Sequence, residues 1–441
     1  MIDPKAGPLP PVDLPMIVDL FAGPGGLDVA AHWIGVPAIG IEFDESAVDT
    51  REAAGLSSIL ADVTRWQPDD FTETINVLTG GPPCQTFTVA GNGHGRRALD
   101  QVVALVQMLG AGRMDEVLQW LEQRTADPEF DPRTGLVLQP LIWALKALDA
   151  GRPYEAIMLE QVPAVKPVWE AMQAVLESKG YGVDVDVLCT EEFGVPQTRR
   201  RAVLAARWGM ASKKVQFPDP THQKYVRTAH SHGSRSESSV DRARWTSMGE
   251  ALGWDMPFTV RSNYGKGGNP RDRGERGHDH PAFTVTGKIF RNRILFGDGQ
   301  TERRFYAEEA GRLQTFPWDY PWDGRDVAQQ IGNAVPPRLG VHLLSWLLGI
   351  DVELSEAFFA ARADYWVSPD LERQLRIKDS VVVRGGVRWD TPTKAVGAPE
   401  RVGSSKGGEV MGVVGGGSTI DAVEPEPGHR PGVEAAVGAA S

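Results

Sequence analysis

Residues 16–27 have the sequence MIVDLFAGPGGL, and no other stretch says as much about the architecture of the chain. The first five residues, Met16–Leu20, are a short apolar run of the kind that forms a strand buried on both faces. A turn rich in glycine follows, and a helix is predicted from about Leu27. A buried strand, a tight turn and a helix in this order indicate the first unit of an α/β sheet.

Similar apolar runs recur along the chain, separated by stretches with helical periodicity such as Leu136–Leu148 and Val168–Lys179. Further strands are predicted at Ala38–Ile41, Ile59–Ala61, Ile75–Thr79, Ala156–Leu159, Val183–Cys189 and Arg201–Ala206. The last two are close in sequence and favour a hairpin. The alternation predicts a Rossmann-like α/β fold with a mostly parallel sheet, whose ligands bind at the carboxyl ends of the strands.

From about Trp208 to Phe305 this alternation disappears. The segment is rich in Gly, Arg, His, Ser and Asn, and its strand-like pieces are Phe283–Thr286 and Arg293–Phe296. The stretch from Arg199 to Arg304 holds 21 Lys or Arg against 10 Asp or Glu, whereas the whole chain carries a net charge of −12. A basic segment in an acidic chain is typical of a localised site for a polyanion, although a solvated basic face has the same composition.

The composition shifts divide the chain into four parts. They are a flexible arm over residues 1–15, a large α/β domain over 16–206 and 319–376, a small loop-rich domain over 207–318, and a tail over 377–441. The tail is dominated by Gly, Pro, Val and Ala, and we expect it to be disordered. Residues 96–133, which include a predicted helix at Met114–Gln123, are interpreted as an insertion.

The composition also excludes several classes of protein. Cys84 and Cys189 are the two cysteines of the chain, which rules out a disulfide framework and fits a reducing, cytoplasmic environment. No apolar run approaches the length of a membrane span, and the N-terminus lacks the pattern of a signal peptide. Four loop histidines lack acidic or thiol partners at ligand spacing, so no metal site is expected at His230, His232, His278 and His280.

The Gly-rich turn is followed by acidic residues at the ends of the next two strands. Glycines let the backbone approach a ligand closely, although a plain strand-to-helix turn needs them too. Glu42, about 20 residues further on, is placed to accept both hydroxyls of a ribose. Asp62 is placed to hold an adenine amino group. Because the turn lacks the spacing of dinucleotide and triphosphate sites, a nucleoside without a phosphate chain fits better.

A second motif, Gly80-Gly81-Pro82-Pro83-Cys84-Gln85, follows another predicted strand. Its glycines and prolines hold Cys84 on a rigid loop at the strand end. A cysteine is a good nucleophile once its thiolate is stabilised. Taken alone, the same residue is also compatible with a small buried thiol of the core, which is the interpretation that we give to Cys189.

These motifs stand in the order found in the DNA (cytosine-5) methyltransferases, and the chain resembles that family over roughly residues 16–350. The motifs that carry the resemblance are Asp19–Gly26 with Glu42, Gly80–Gln85, Leu159–Val162, Gln197–Arg201, Arg303–Pro317 and Gln330–Pro337. Six motifs in one order are far more specific than any one of them. The resemblance implies an AdoMet-dependent catalytic domain and identifies the loop-rich segment as a target-recognition domain.

The cofactor that the resemblance implies is S-adenosyl-L-methionine. The first motif supplies the turn around it, Glu42 is the ribose acid, and the last motif completes the pocket. The residues expected to bind the cofactor are Phe21, Gly23, Gly25, Gly26, Leu27, Glu42, Asp62, Asn333 and Val335.

The catalytic residues implied are Cys84, Glu160, Arg199 and Arg201. Cys84 would add to C6 of cytosine and make C5 nucleophilic, while a protonated Glu160 stabilises the ring through N3. That role needs a carboxyl with a raised pKa. Arg199 and Arg201, two residues apart on one predicted strand, would share a face, reach the pyrimidine carbonyl and steady the Cys84 loop.

The chain departs from the family pattern in two places. Gln161 stands where the family has Asn after the glutamate, which puts the local geometry in doubt more than the chemistry. The stretch from Cys84 to Glu160 is longer than in compact members. Its insertion, 96–133, is interpreted either as an extension of the lid over DNA or as a partner-binding element.

The implied partner is duplex DNA, from which the target base must be flipped out. Basic clusters at Arg261–Asn263, Arg271–Arg276 and Lys288–Arg293 are expected groove or phosphate contacts. We expect a monomer. A cognate restriction endonuclease, as a functional and not a physical partner, and a solitary or viral enzyme are alternatives that the sequence leaves open, as it does the target sequence. Two alternatives stay open: a relative that methylates cytosine C5 in tRNA, and a non-catalytic DNA-binding homologue.

Overall fold

The computed structural model describes residues 9–71, 74–83, 94–125, 133–226, 242–263, 274–297 and 301–369. Cys84 and the predicted tail over 377–441 lie outside these residues. So do His230, His232, Arg271 and the first eight residues of the predicted arm.

The described residues form a seven-stranded, mostly parallel sheet, as the sequence predicts. Its strands are β1 (Ile17–Leu20), β2 (Ala38–Glu42), β3 (Ser58–Leu60), β4 (Val77–Gly80), β5 (Ala156–Gln161), β6 (Tyr181–Cys189) and β7 (Arg200–Trp208). Their order across the sheet is β3-β2-β1-β4-β5-β7-β6. The strands from β3 to β5 pair in parallel, whereas β7 runs antiparallel to both β5 and β6. The hairpin that the two apolar runs favour is therefore confirmed.

Helices cover both faces of this sheet, which explains why its strands are apolar on both sides. The helices are α1 (Gly26–Trp33), α2 (Glu45–Ala53), α3 (His94–Gly110), α4 (Met114–Thr125), α5 (Arg133–Leu136), α6 (Gln139–Asp149), α7 (Lys166–Ser178), α8 (Met248–Leu252), α9 (Ala307–Leu313), α10 (Val327–Asn333), α11 (Pro337–Leu348) and α12 (Glu356–Ala360). Alternate residues of β1 enter different cores: Val18 and Leu20 pack with α3, α6 and α7, and Ile17 packs with α1 and α11.

A second, smaller sheet lies in the segment predicted as the loop-rich domain. It is antiparallel and has the order β11-β10-β8-β9. Its strands are β8 (Phe258–Arg261), β9 (Glu275–Gly277), β10 (Arg293–Phe296) and β11 (Glu302–Arg303). Its core also takes in α9 and Ile331 of α10. The strand expected at Phe283–Thr286 is wrong, because hydrogen bonds to residues 197–199 hold this segment instead of a neighbouring strand.

The expectation of a flexible arm over residues 1–15 needs correction. Within the arm predicted over 1–15, Leu9 and Val12 are buried, and the amide of Val12 donates to the carbonyl of Leu348 at 2.9 Å. The helix predicted at Met114–Gln123 is confirmed as α4. Both α3 and α4 insert apolar side chains into the main core, Val106 and Val117 among them, and the role of the insertion stays a prediction.

Among the helices of the described residues, none combines the length and the apolar character that crossing a membrane requires.

Candidate active site

The carboxyl ends of five parallel strands meet at one edge of the main sheet. The register pairs Leu20 with both Ile41 and Gly80, and Gly80 with Leu159. The residues that follow these strands therefore lie side by side. They include the Gly-rich turn, Glu42, the loop that leads to Cys84, and Glu160, which is the arrangement expected at the ligand edge of an α/β sheet.

The turn after β1 is a left-handed backbone bend held by the neighbouring strand. Phe21, Gly23 and Gly25 have φ angles of 60°, 55° and 98°. A positive φ is easy for glycine and strained for phenylalanine, so the conformation of Phe21 must be imposed by its surroundings. The amide of Gly23 donates to Oε2 of Glu42 at 2.7 Å. The predicted ribose acid thus also fixes the turn beside it.

Glu42 lies half-buried at the end of β2. Its Oε1 accepts the amides of Phe43 and Asp44 at 2.8 and 2.9 Å. Burial raises the pKa of this carboxyl, while the backbone amides favour its charged form. The carboxylate is therefore oriented by three main-chain donors, and its remaining lone pairs are available to ribose hydroxyls.

The glycines of the turn have different surroundings. A methyl group on Gly23 would meet no atom within 4 Å, so open space lies beside this residue. A methyl group on Gly25 would strike the side chain of Leu56, and one on Gly26 would strike the carbonyl of Val335. Close packing within the protein therefore requires Gly25 and Gly26, and Leu27 is buried in the core. Only Gly23 among the three glycines faces room for a ligand.

Two further groups line the same strand ends. One oxygen of Asp62 accepts the amide and the hydroxyl of Thr64 at 2.9 and 2.8 Å, which leaves its other oxygen for a ligand. Phe43, directly after Glu42, exposes 71% of its surface. An exposed aromatic ring beside a ribose acid is suited to stack on a base. Sequence reasoning missed Phe43, although its position after the strand-end acid was a usable signal.

A network of buried charged residues packs behind the Gly-rich turn, and no sequence motif predicted it. Arg51 of α2 is fully buried and donates to both oxygens of Asp28 at 2.8 and 2.7 Å. Although burial opposes its charge, Asp28 raises the pKa of Arg51. Asp19 of β1 accepts the Thr79 hydroxyl at 2.6 Å, and burial followed by repulsion from Asp28 raises its pKa.

The closing segment packs directly on the turn. The Tyr320 hydroxyl donates to the carbonyl of Pro24 at 2.6 Å, and Val335 touches Gly26 through its carbonyl. Asn333, at the end of α10, is exposed and accepts the side-chain amide of Gln329 at 2.7 Å. The predicted cofactor residues of the last motif therefore lie beside those of the first.

This donor set fits the nucleoside part of S-adenosyl-L-methionine. It offers one carboxylate oriented by amides, a second carboxylate with a free oxygen, an exposed aromatic ring and open space beside Gly23. The described residues of the turn carry no Lys or Arg for a phosphate chain. The cofactor assignments themselves stay predictions.

The loop that leads to Cys84 is tied to the end of β5. The side-chain amide of Gln161 donates to the carbonyl of Pro82 at 2.5 Å, and its oxygen accepts the amide of Val162 at 2.6 Å. The longer side chain in place of the family Asn thus still joins the two strand ends. Cys84 itself lies outside the described residues, so its role stays a prediction.

Glu160 and Arg201 form a pair at the end of β5. Nε of Arg201 lies 2.9 Å from Oε1 of Glu160, and the two side chains are 13% and 7% exposed. They come together because β5 and β7 are antiparallel neighbours, with Glu160 opposite Val203. The predicted acid and one predicted arginine therefore adjoin each other, one strand away from the Cys84 loop.

Arg199 does not share this position, contrary to the expectation that it faces the pyrimidine with Arg201. It precedes β7, so the alternation of strand faces does not apply to it. Its buried guanidinium donates to the carbonyls of Val285, Gly332 and Ala334 at 3.0, 3.0 and 3.2 Å. Burial, followed by repulsion from Arg201, lowers the pKa of Arg199.

Comparison with known proteins gives a consistent result. A family model described as C-5 cytosine-specific DNA methylase matches residues 16–104 and 145–347. The chain is 26% identical over 353 residues to the type II methyltransferase M1.HphI of Haemophilus parahaemolyticus, covering 73% of this chain and 83% of that protein. It is 25% identical over 391 residues to the type II methyltransferase M.NgoFVII of Neisseria gonorrhoeae, with 82% and 91% covered.

Among solved structures, the S. pombe Dnmt2 methyltransferase superposes with a TM-score of 0.48 and 18% identity, covering 76% of this chain and 98% of that one. The family match leaves residues 105–144 unmatched. This gap overlaps the insertion predicted over 96–133 and contains all of α4.

Proposed function

The chain belongs to the C-5 cytosine-specific DNA methylase family, and we propose that it transfers a methyl group from S-adenosyl-L-methionine to C5 of a flipped-out cytosine in duplex DNA. One observation supports this most strongly. The turn with Glu42 and the Glu160–Arg201 pair lie at the same edge of the sheet, on either side of β4. The loop after β4 leads to Cys84, so the nucleophile would stand between the cofactor and the acid.

On this proposal Glu42 holds the ribose, Asp62 the adenine amino group, and Phe43 stacks on the base. When bound, the cofactor supplies an electrophilic methyl group. Gly23 lets the ligand approach the backbone, and Asn333 closes the pocket from the side of α10. Gly25, Gly26, Leu27 and Val335 act behind this surface by fixing the position of the turn.

Cys84 would start the reaction by adding its thiolate to C6 of cytosine. The new Sγ–C6 bond moves an electron pair of the ring toward C5 and N3, and C5 becomes enamine-like. This is the step that a stacked base cannot undergo, because both faces of C6 are covered in the duplex.

Glu160 would hold a proton at N3 and offset the charge that develops on the ring. Arg201 is its neighbour at 2.9 Å and would orient the carboxyl through that contact. Once C5 carries the methyl group, loss of the C5 proton returns an electron pair to the ring. That pair expels the Cys84 thiolate and leaves 5-methylcytosine.

The smaller antiparallel sheet, β11-β10-β8-β9, which we call the recognition sheet, would present the DNA. Arg261 of β8 and, in the segment that leads into β10, Lys288 and Arg291 belong to the stretch with the excess of positive charge. Phosphate contacts from such side chains position a duplex without reading its sequence. By analogy with its type II relatives, we propose that the enzyme methylates one short target sequence and protects that sequence from a cognate endonuclease.

The experiment is transfer of labelled methyl from S-adenosyl-L-methionine to unmethylated duplex DNA of mixed sequence, with the labelled nucleoside identified after digestion. Unmodified tRNA serves as a parallel substrate, and the Cys84→Ser variant serves as control. We expect label in the DNA as 5-methylcytosine and none with the variant.

The other outcomes separate the alternatives. Label only in tRNA would replace DNA by RNA as the substrate. Cofactor binding without label in either nucleic acid would favour a non-catalytic homologue. Near-normal transfer by the Cys84→Ser variant would overturn the assignment of the nucleophile.

A further inference from the structure

Residues 197–199 form a buried polar junction that the methyl-transfer chemistry does not use. Both Gln197 and Arg199 are at most 1% exposed. They lie in the segment between β6 and β7, where Gln197 forms an isolated bridge with Ala282. Their side chains donate to backbone carbonyls of segments more than 80 positions away in sequence.

Arg199 joins two of these segments through one guanidinium. On one side it donates to the carbonyl of Val285, and on the other to the carbonyls of Gly332 and Ala334. These acceptors are neutral, and its Nε has no hydrogen-bond partner among the described residues. None of its three acceptors is a carboxylate, so the burial of this cation is costly.

Gln197 connects the same two segments by a second path. Its oxygen accepts the amide of Val285 at 2.9 Å, and its nitrogen donates to the side-chain oxygen of Gln314 at 2.7 Å. Gln314 in turn donates to the carbonyls of Ile331 and Ala334 at 2.5 and 3.2 Å. Two independent paths therefore link residue 285 with residues 331–334.

The linked segments lead to different ligands. Val285 precedes the turn that carries the exposed side chains of Lys288 and Arg291 toward the proposed DNA surface. Gly332 and Ala334 flank Asn333, which belongs to the proposed cofactor pocket. The two segments also touch directly, because a methyl group on Gly332 would strike the amide of Gly287. A shift of one segment must therefore be transmitted to the other.

We propose that Arg199 is a positioning residue that couples DNA binding to cofactor binding. This inference rests on the proposed function, because it needs both ligands to bind. The three carbonyl contacts link the segment at Val285 to the segment at Gly332 and Ala334. A ligand that orders one segment then also orders part of the other, so the second ligand causes a smaller loss of conformational entropy when it binds. By linkage, each ligand tightens the binding of the other by the same factor.

The test is a binding cycle with S-adenosyl-L-homocysteine, which cannot react, and a long unmethylated duplex of mixed sequence. The dissociation constant of S-adenosyl-L-homocysteine is measured by calorimetry with and without saturating DNA. For the unaltered enzyme we expect DNA to tighten this binding by about tenfold, within the usual range of such couplings. For Arg199→Met we expect less than about a twofold effect, and for Arg199→Lys an intermediate one.

Arg207→Met is the matched control. Arg207 is 5% exposed, also donates to two backbone carbonyls, those of Pro10 and Leu347, and also has a buried Nε without a partner. Its contacts do not involve the recognition sheet. We expect this variant to lose stability and to keep the full coupling.

Hydrogen exchange on the unaltered enzyme covers the case in which Arg199→Met fails to fold. DNA alone should slow the amides of residues 331–335, and S-adenosyl-L-homocysteine alone should slow those of 284–287. Full coupling in Arg199→Met, no coupling in the unaltered enzyme, or no such cross-protection would overturn the proposal. Failure of the unaltered enzyme to bind either ligand would instead overturn the proposed function.

Discussion

The turn after β1 and the segment Gln197–Arg201 are both short polar motifs at the ends of buried strands, yet they reach their partners differently. The turn is held by the adjacent strand, through the amide of Gly23 on Glu42. In the second motif, Arg201 meets Glu160, whereas Arg199, two residues away, contacts the carbonyls of Val285, Gly332 and Ala334.

The difference shows what a motif can and cannot specify locally. Parallel strands in adjacent order bring their carboxyl ends together, so Gly23 and Glu42 meet whatever the rest of the chain does. Arg199 lies just before β7, and the course of chain segments 86 and 133 residues away determines its contacts. The first site therefore depends on the order of strands in one sheet, and the second on how the segments at Val285 and at Gly332 pack around Arg199.

The largest expected effect on stability concerns the support beneath the turn. Arg51→Met removes one partner of a fully buried ion pair and leaves Asp28 uncompensated. We expect a loss of about 3–5 kcal/mol in the free energy of unfolding, measured by urea denaturation. Arg113→Met, which breaks an exposed pair with Glu116, should leave stability unchanged. Equal stability of Arg51→Met and the unaltered protein would show that the turn does not depend on this network.

The next largest effect is expected on the rate of methyl transfer, at the Glu160–Arg201 pair. Glu160→Gln keeps the shape of the side chain but removes the proton that the proposal places at N3. We expect the rate of methyl transfer to fall by a factor of about 10² to 10⁴, while the affinity for S-adenosyl-L-homocysteine is unchanged. Single-turnover kinetics and calorimetry measure the two quantities. A normal rate would remove Glu160 from the mechanism.

A smaller effect is expected on the cofactor side. Glu42→Gln replaces a carboxylate that is oriented by three amides, and we expect about a tenfold weaker binding of S-adenosyl-L-homocysteine, or about 1.4 kcal/mol. Burial raises the pKa of Glu42, so affinity should start to fall at a pH above the ordinary range of a carboxyl as the solution is acidified. This pH dependence should be absent in the variant. Identical profiles would contradict the role of Glu42.

The smallest effect lies outside both motifs. Contacts with His222 and Arg338 lower the pKa of Glu356 to about 2. A lowered carboxyl pKa stabilises the fold above the ordinary value of 4.5, and this contribution is lost as pH falls from about 4.5 to about 2. Because Glu356 is largely exposed, Glu356→Gln should cost about 1 kcal/mol or less at neutral pH. The two proteins should converge in stability at low pH, and a constant difference would contradict the assignment.

Much of this could be predicted from sequence, for physical reasons that the two motifs illustrate. The strands β2 and β5 are short apolar runs that end in polar residues, Glu42 in β2 and Glu160 with Gln161 in β5. Local pattern therefore indicated the sheet edge and the place of Glu42 and Glu160 on it. Gln161 was noticed as a departure, and only the structure showed that its amide reaches Pro82.

The remaining features depend on contacts that no local pattern contains. In the sequence, Arg51 has the pattern of an exposed helix residue. In the structure, the absence of a side chain on Gly40 leaves space for its guanidinium, and the buried Asp28 supplies the opposite charge. The segment Phe283–Thr286 has the composition of a strand, but the amide and the carbonyl of Val285 form hydrogen bonds with the side chains of Gln197 and Arg199 instead of with a neighbouring strand. Likewise, the helix at Met114–Gln123 was predicted from sequence, and only the structure shows that it packs on the main core through Val117.

The most direct test of the central claim is a covalent trap with a duplex in which 5-fluorocytosine replaces cytosine. Fluorine at C5 cannot leave as a proton does, so the Sγ–C6 bond persists after methyl transfer. The account predicts a stable protein–DNA adduct that requires S-adenosyl-L-methionine, maps to Cys84 by peptide mass analysis and is absent in Cys84→Ser. An adduct at another residue, or methylation of ordinary DNA without any adduct on the fluorinated duplex, would contradict it.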